Sequence, residues 1–445
     1  MFYKTIDDYD AHMDFVRRIT KMKSCMPFRN ILNGYVLEDF QCVDVLTALA
    51  RKESIIGHDT GMGKTLIASS IIRALHNENH LGKYLVVLKT NQFQQTPAKI
   101  RKATGMSVVA ISSKGSDLEN KMYNGSFLNS DIVIIAAEVL NDVASCAVLL
   151  QFRKRFRAII VDELHEFTNF NDADRAFMLK SMMSHIEYKI GLTATPMTTE
   201  LDQFTRALAM LDRETYSNYK DTKTKLVHGN LDIEKSDPGV YIRRTRSGLG
   251  IANDYLTHVH VTEPHQHQAN ASGINMFEIT KGEGAYNQVA KLIEIIDNEP
   301  GKGLVYIRHH SIRKFVEGEL EKAGIPFASI NGLVTGKQRG DIMNKFNEGG
   351  EGAPKVVLTS VTTSLDLDCD FVIFYEFTVD AKQMIGRAER GLIPKTIHIH
   401  FIFVRYTEEI SYFRENIYER SLVVQQVLRR DYGELVEVGK TLDKL

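Results

Sequence analysis

The densest chemistry in the chain sits in eight residues, His58-Asp59-Thr60-Gly61-Met62-Gly63-Lys64-Thr65. They follow a short apolar run at 54–56 and open an amphipathic helical pattern from 66 to about 75. Gly61 and Gly63 let backbone N–H groups turn inward around phosphate oxygens, and a helix N-terminus adds partial positive charge. Lys64 is placed to reach a β- and γ-phosphate, and the Thr65 hydroxyl to ligate magnesium. The full phosphate-loop pattern asks for glycine at position 58, where this chain has histidine.

A second cluster follows the apolar run 158–161, which ends in Asp162 and Glu163. Neighbouring strand residues point to opposite sides, so two adjacent carboxylates at a strand tip can take different tasks. Asp162 is expected to hold Mg2+ and Glu163 to orient and deprotonate an attacking water. Phosphoryl transfer also needs positive charge on the γ-phosphate, and an arginine from another lobe contributes about 10³–10⁵ in rate. Arg387 and Arg390, three apart in Gln383-Met384-Ile385-Gly386-Arg387-Ala388-Glu389-Arg390, fit that role.

The elements that must position these groups alternate between short β-branched runs and helical patterns, the signature of parallel sheets with helices on both faces. Strand runs are expected at 54–56, 84–88, 108–111, 132–135, 158–161 and 189–192. A polar, helical or irregular stretch follows from about 200 to 253. Strands resume at 258–261, 304–307, 356–358, 371–375 and 397–403. The expected fold is α/β: an N-terminal appendage over 1–30, a first lobe over 31–235 and a second over 236–445.

These pieces stand in the order found in superfamily 2 helicases, and the resemblance spans most of the chain. HDTGMGKT resembles motif I, Asp162-Glu163-Leu164-His165 motif II, and Thr193-Ala194-Thr195-Pro196 motif III. The run from Leu358-Thr359-Ser360 to Leu365-Asp366 resembles motif V, although poor in glycine, and the arginine-bearing octet resembles motif VI. Finer features are similar to the Swi/Snf-type branch: LTATPMTTELDQF, the Tyr241-Ile242-Arg243-Arg244-Thr245-Arg246 segment, Asn331-Gly332 with Arg339 and Lys345-Phe346-Asn347, and Arg405-Tyr406-Thr407-Glu408-Glu409-Ile410. The resemblance implies two RecA-like lobes that close on ATP, with ATP and Mg2+ required. It implies adenine reading by Gln41, nucleotide contact by Asp366, and coupling of hydrolysis to movement by Thr193, Thr195 and Gln383. It also implies a DNA track along Lys89, Thr90, Ala136, Arg308, His309, Thr359 and Ser360. Arg243, Arg244 and Arg246 either line that groove or brace the lobes.

The chain has 445 residues, 43% hydrophobic and 25% charged, with a net charge of −1. A dedicated nucleic-acid coat would be strongly basic, whereas a motor needs only a local basic groove. The polar, acidic start, MFYKTIDDYD, argues against an export signal, and no apolar run is long enough to span a membrane. Four scattered cysteines without a CxxC pair suit a reducing, cytoplasmic setting and no zinc site. His258, His260, His265 and His267 are read as a half-exposed strand and polar loop, because no cysteine or consistent acidic residue joins them, and His398 and His400, alternating with Ile397, Ile399 and Phe401, as part of an edge or half-buried strand. The expectation is a monomeric DNA-dependent ATPase acting on forked or branched DNA in replication, recombination or repair. The compact motor resembles bacteriophage helicases, which would make viral replication or recombination proteins its partners. Its rivals are a translocase that tracks duplex without separating strands and an ATP-gated scaffold without sustained turnover.

Overall fold

The structure, a computed structural model, describes residues 28–93, 95–112, 116–168, 173–194, 201–228, 231, 233–251, 253–264, 280–360, 365, 367–378, 381–388, 394–419, 421–422, 425 and 433–443. All but the last three residues of the expected 1–30 appendage lie outside this set, as do Thr195, Asp366, Arg390, His265 and His267. The chain divides into two units, residues 1–58 with 63–244, and residues 245–445 with 59–62.

The first unit is built on a seven-stranded sheet whose strands are β1 (Glu53–Ile56), β2 (Lys83–Leu88), β3 (Val108–Ile111), β4 (Ile132–Ala136), β5 (Phe156–Asp162), β6 (Tyr188–Leu192) and β7 (Tyr241–Ile242). Their order is β3-β4-β2-β5-β6-β1-β7, and every pair is parallel. The inner strands read as unbroken apolar runs because helices cover both faces. Every residue of β4 is buried. Helix α1 (Asp39–Arg51) and helix α2 (Lys64–Glu78) contribute Val45, Leu49, Ile67 and Ile71 to the core, against Ile134 and Ile160 of the sheet.

The second lobe was expected to begin at 236, but β7 pairs with β1 and keeps the chain with the first unit as far as Arg244. Two residues make too short a run for alternation to reveal. What holds β7 is shape: a Cβ on Gly57 would collide with the Tyr241 ring, which packs edge-on against Phe204 at 5.0 Å. At the far end of α1, Arg51 bonds Asp212 and, at 3.0 Å, Asp237. One guanidinium thereby fastens the helical stretch after β6 to the first sheet.

The second unit holds six parallel strands, β8 (Asp254–Thr262), β9 (Gly303–Tyr306), β10 (Phe327–Ile330), β11 (Val356–Thr359), β12 (Phe371–Phe374) and β13 (Thr396–Val404), in the order β10-β11-β9-β12-β13-β8. The sequence reading missed β10. Its Ala328 and Ser329 give no β-branched run, and an edge strand is half-exposed. Helix α3 (Tyr286–Asn298) packs on the β8–β13 side of the sheet, and helix α4 (Ala381–Arg387) follows β12. No helix among the described residues is long and apolar enough to cross a membrane.

A charged hub lies inside this unit. Lys281, fully buried, donates to the backbone oxygens of Tyr375 and, at 2.6 Å, Ile402. Its Nζ is 3.5 Å from Glu409, which accepts from Thr280 at 2.7 Å and from the Val404 N–H at 3.0 Å. Burial lowers the pKa of Lys281 and raises that of Glu409, in each case against the partner's opposing charge. Removing one member strands the other charge. Lys281→Ala is expected to destabilise the second unit by about 3–5 kcal/mol, read from denaturant unfolding of the full chain.

Candidate active site

Three strands of the first sheet end level with one another. Leu192 of β6 stands opposite Ile56 of β1 on one side and Asp162 of β5 on the other. In a parallel α/β sheet this carboxyl edge is where ligands bind. The loop after β1 carries Gly61 and Gly63 at φ +75° and +76°, the left-handed region that glycine enters without strain. Lys64 opens α2, and its Nζ lies 2.9 Å from the backbone oxygen of His58, so the ammonium curls back over its own loop. Thr65 follows in the first turn, half-buried.

Gln41 is buried in the first turn of α1, and its Oε1 accepts the Glu38 N–H at 3.0 Å. Its amide nitrogen lies so close to Gly63 that a Cβ there would collide with it. The glutamine therefore touches the phosphate loop at a position where a side chain has no room.

His58 explains how the loop works without its first glycine. Outside glycine, the positive-φ residues among those described are Lys52, Glu163 and Tyr406, so position 58 needs no left-handed backbone. The imidazole is fully buried, with Nε2 3.1 Å from Asp44 of α1. Burial lowers its pKa despite the carboxylate. Asp44 is also gripped by Arg244, from Nη2 at 2.7 Å and Nε at 3.1 Å. Asp44 gave no sequence signal, since a single acid in an amphipathic helix reads as surface. Asp44 and Arg244 both belong to the first unit, so the contact does not decide between the two roles expected for Arg244.

Asp162 ends β5, and its Oδ1 accepts the Glu163 N–H at 3.0 Å. Burial, then the neighbouring Glu163 carboxylate, pushes the Asp162 carboxyl up to about 6, against the pull of the Lys64 ammonium. Such a site is short of positive charge, a lack that a divalent cation relieves. Asp162 and Thr65 are thus suited to Mg2+. Glu163 sits at φ +50°, a conformation that costs a residue with a side chain about 1–3 kcal/mol and is typical of functional sites.

In the sequence His165 is only the last residue of a motif, and the structure gives it a task. It is buried, with Nδ1 2.9 Å from Thr193 Oγ1 and 3.6 Å from the Glu163 carboxylate. The Thr193 N–H in turn donates to Ile56 of β1 at 3.1 Å. Thr193 therefore joins the strand that carries the phosphate loop to the turn that carries Glu163.

The expected track residues fall at strand ends. Lys89 and Thr90 follow β2, where Lys89 pairs with Glu166 and the Thr90 hydroxyl donates to Glu138. Ala136 and Thr359 are buried at the ends of β4 and β11. Arg308 is exposed after β9. His309 is held by the buried Glu376, through Nδ1 and through its N–H at 3.0 Å. Ser360 follows β11, half-buried. Gln383 and Arg387 lie in α4, and their side chains are outside the described set together with Thr195, Asp366 and Arg390.

Two domain matches agree with this layout. Residues 39–240 match the SNF2-related domain, and residues 287–391 match the helicase conserved C-terminal domain. Chromodomain-helicase-DNA-binding protein 8 of Xenopus tropicalis is 22% identical over 237 residues, 48% of this chain and 10% of that protein's length. The Sulfolobus solfataricus SWI2/SNF2 ATPase core, solved in complex with dsDNA, aligns over 92% of this chain and 95% of that one, with a TM-score of 0.43 and 17% identity. With both domain matches present and in order, the chain belongs to the superfamily 2 helicases and translocases, in their Swi/Snf-type branch.

Proposed function

We propose that this protein is a DNA-dependent ATPase that moves along DNA, with forked or branched DNA as its working substrate. The observation that carries the ATPase reading is the level ending of β1, β6 and β5, which gathers Lys64, Thr65, Asp162 and Glu163 at one edge. Lys64 and the loop amides would hold the triphosphate, and Glu163 would take the proton of the attacking water. Mg2+, held by Asp162 and Thr65, would neutralise charge on the phosphates. Arg387 and Arg390 remain the candidates for the transition-state cation.

One arrangement favours stimulation by DNA. Lys89, a track candidate, is paired with Glu166, and Glu166 Oε1 lies 3.7 Å from Nε2 of His165. The same imidazole is the neighbour of Glu163 and Thr193. A DNA phosphate that captures Lys89 frees Glu166 on the turn that carries the catalytic carboxylate. The SNF2-related match favours a second output, tracking of duplex without strand separation. Strand displacement on a labelled fork, set against triplex displacement on plain duplex, separates the two.

Glu163→Gln is expected to lower steady-state ATP turnover by at least about a hundredfold while nucleotide still binds; undiminished turnover rules out the assigned base. Gly63→Ala forces a side chain into a left-handed position against Gln41 and should weaken binding of a fluorescent ATP analogue by about tenfold or more. Turnover of the wild type measured with single-stranded, duplex, forked and four-way DNA should rise most with the branched forms. Equal rates with and without every DNA would overturn the motor reading in favour of an ATP-gated scaffold.

A further inference from the structure

Two paired strands of the second unit carry four histidines close together. β8 and β13 run parallel with His258 opposite His400 and His260 opposite Ile402. Two-residue alternation puts His258 and His260 on one face, with His398 and His400 beside them. Between them in sequence, Ile397, Ile399, Phe401 and Phe403 turn the other way and are buried in the core. The His258 and His400 rings stack at 4.6 Å, and the His398 ring is 5.4 Å from that of His258. One potential ligand nitrogen from each of His258, His398 and His400 lies within 4.8 Å of the others.

The sequence alone shows no consistent acidic partner for His258 and His260 and suggests no zinc site. The fold corrects the premise. Glu299, directly after α3, places Oε1 2.8 Å from Nδ1 of His398 and 2.9 Å from Nε2 of His400. His260 Nε2 is 3.0 Å from Nδ1 of His400. Nε2 of His258 is buried without a hydrogen-bond partner among the described residues. His398 and His400 share one carboxylate, beside a His258 nitrogen that has no hydrogen-bond partner among the described residues.

We propose that His258, His398 and His400, with Glu299 as an oxygen donor, form a binding site for a borderline divalent transition-metal ion of the Zn2+ or Co2+ type. Three imidazoles and a carboxylate are a donor set that such ions accept and that Mg2+ does not favour. Bonds of about 2.0–2.1 Å require ligand nitrogens somewhat closer than they now stand. His398 is only partly buried. The ion would tie the edge strand β8 to β13 and to the end of α3. This site is separate from the nucleotide site and does not rest on the ATPase reading.

The test uses the full chain, stripped with a chelator, dialysed and titrated with Co2+ without nucleotide. The expected result is saturable binding of one equivalent, with the visible absorption of a tetrahedral nitrogen and oxygen set, displaced by Zn2+ and retained in Asp162→Asn. His398→Asn and His258→Gln, each shown to be folded by circular dichroism, should bind at least tenfold more weakly. Zn2+ should also raise the thermal midpoint of the wild type and leave that of His398→Asn unchanged. Absence of saturable binding in the wild type overturns the proposal, whatever the variants do. So does wild-type affinity in His398→Asn, or loss of the signal in Asp162→Asn, which would place the ion at the phosphate loop.

Discussion

A parallel sheet brings the carboxyl ends of all its strands to one edge, and the first unit depends on which strands stand side by side there. β6 lies between β1 and β5, level with both. That placement lets Thr193 touch the β1 backbone with its N–H and His165 with its hydroxyl. A slip of one residue would turn every β6 side chain to the other face and break both contacts. The apolar packing of Ile190 and Leu192 against the core holds the register, so ordinary hydrophobic burial fixes the position of the polar chemistry.

Each unit also holds charged side chains in its interior. In the first, Asp44 is shared between His58 and Arg244, and in the second Lys281 and Glu409 join two strand ends and a turn. Buried charges are poor sources of net stability, but they are demanding about geometry. Both clusters sit beside strand ends, where loops leave the sheet and where apolar packing gives least direction to the chain.

The parts most legible in the sequence were those with strong local patterns. Apolar runs such as 132–135 and 371–375 announced inner strands, and Gly61, Gly63, Lys64 and the Asp162–Glu163 pair announced chemistry through residue type and spacing. What stayed hidden depends on contacts between distant segments. Asp44 and Arg244 are 200 residues apart, and Glu299 and His400 are 101 apart. No periodicity connects such positions. β7 and β10 were missed for a related reason, since one is held by a ring against a glycine and the other is a half-exposed edge. His258 and His400 illustrate the limit well: each looked like an ordinary strand histidine until parallel pairing set them side by side.

The histidine at the head of the phosphate loop means that this loop is not an interchangeable cassette. In a chain with glycine there, the loop stands on its own backbone freedom. Here its first residue is a buried side chain, wedged against an acid that an arginine from the far end of the unit also claims. Grafting a conventional loop into this scaffold would leave a hole beside Asp44, and transplanting this loop elsewhere would bury an imidazole among strangers. Positions 44, 58 and 244 must therefore drift together or not at all.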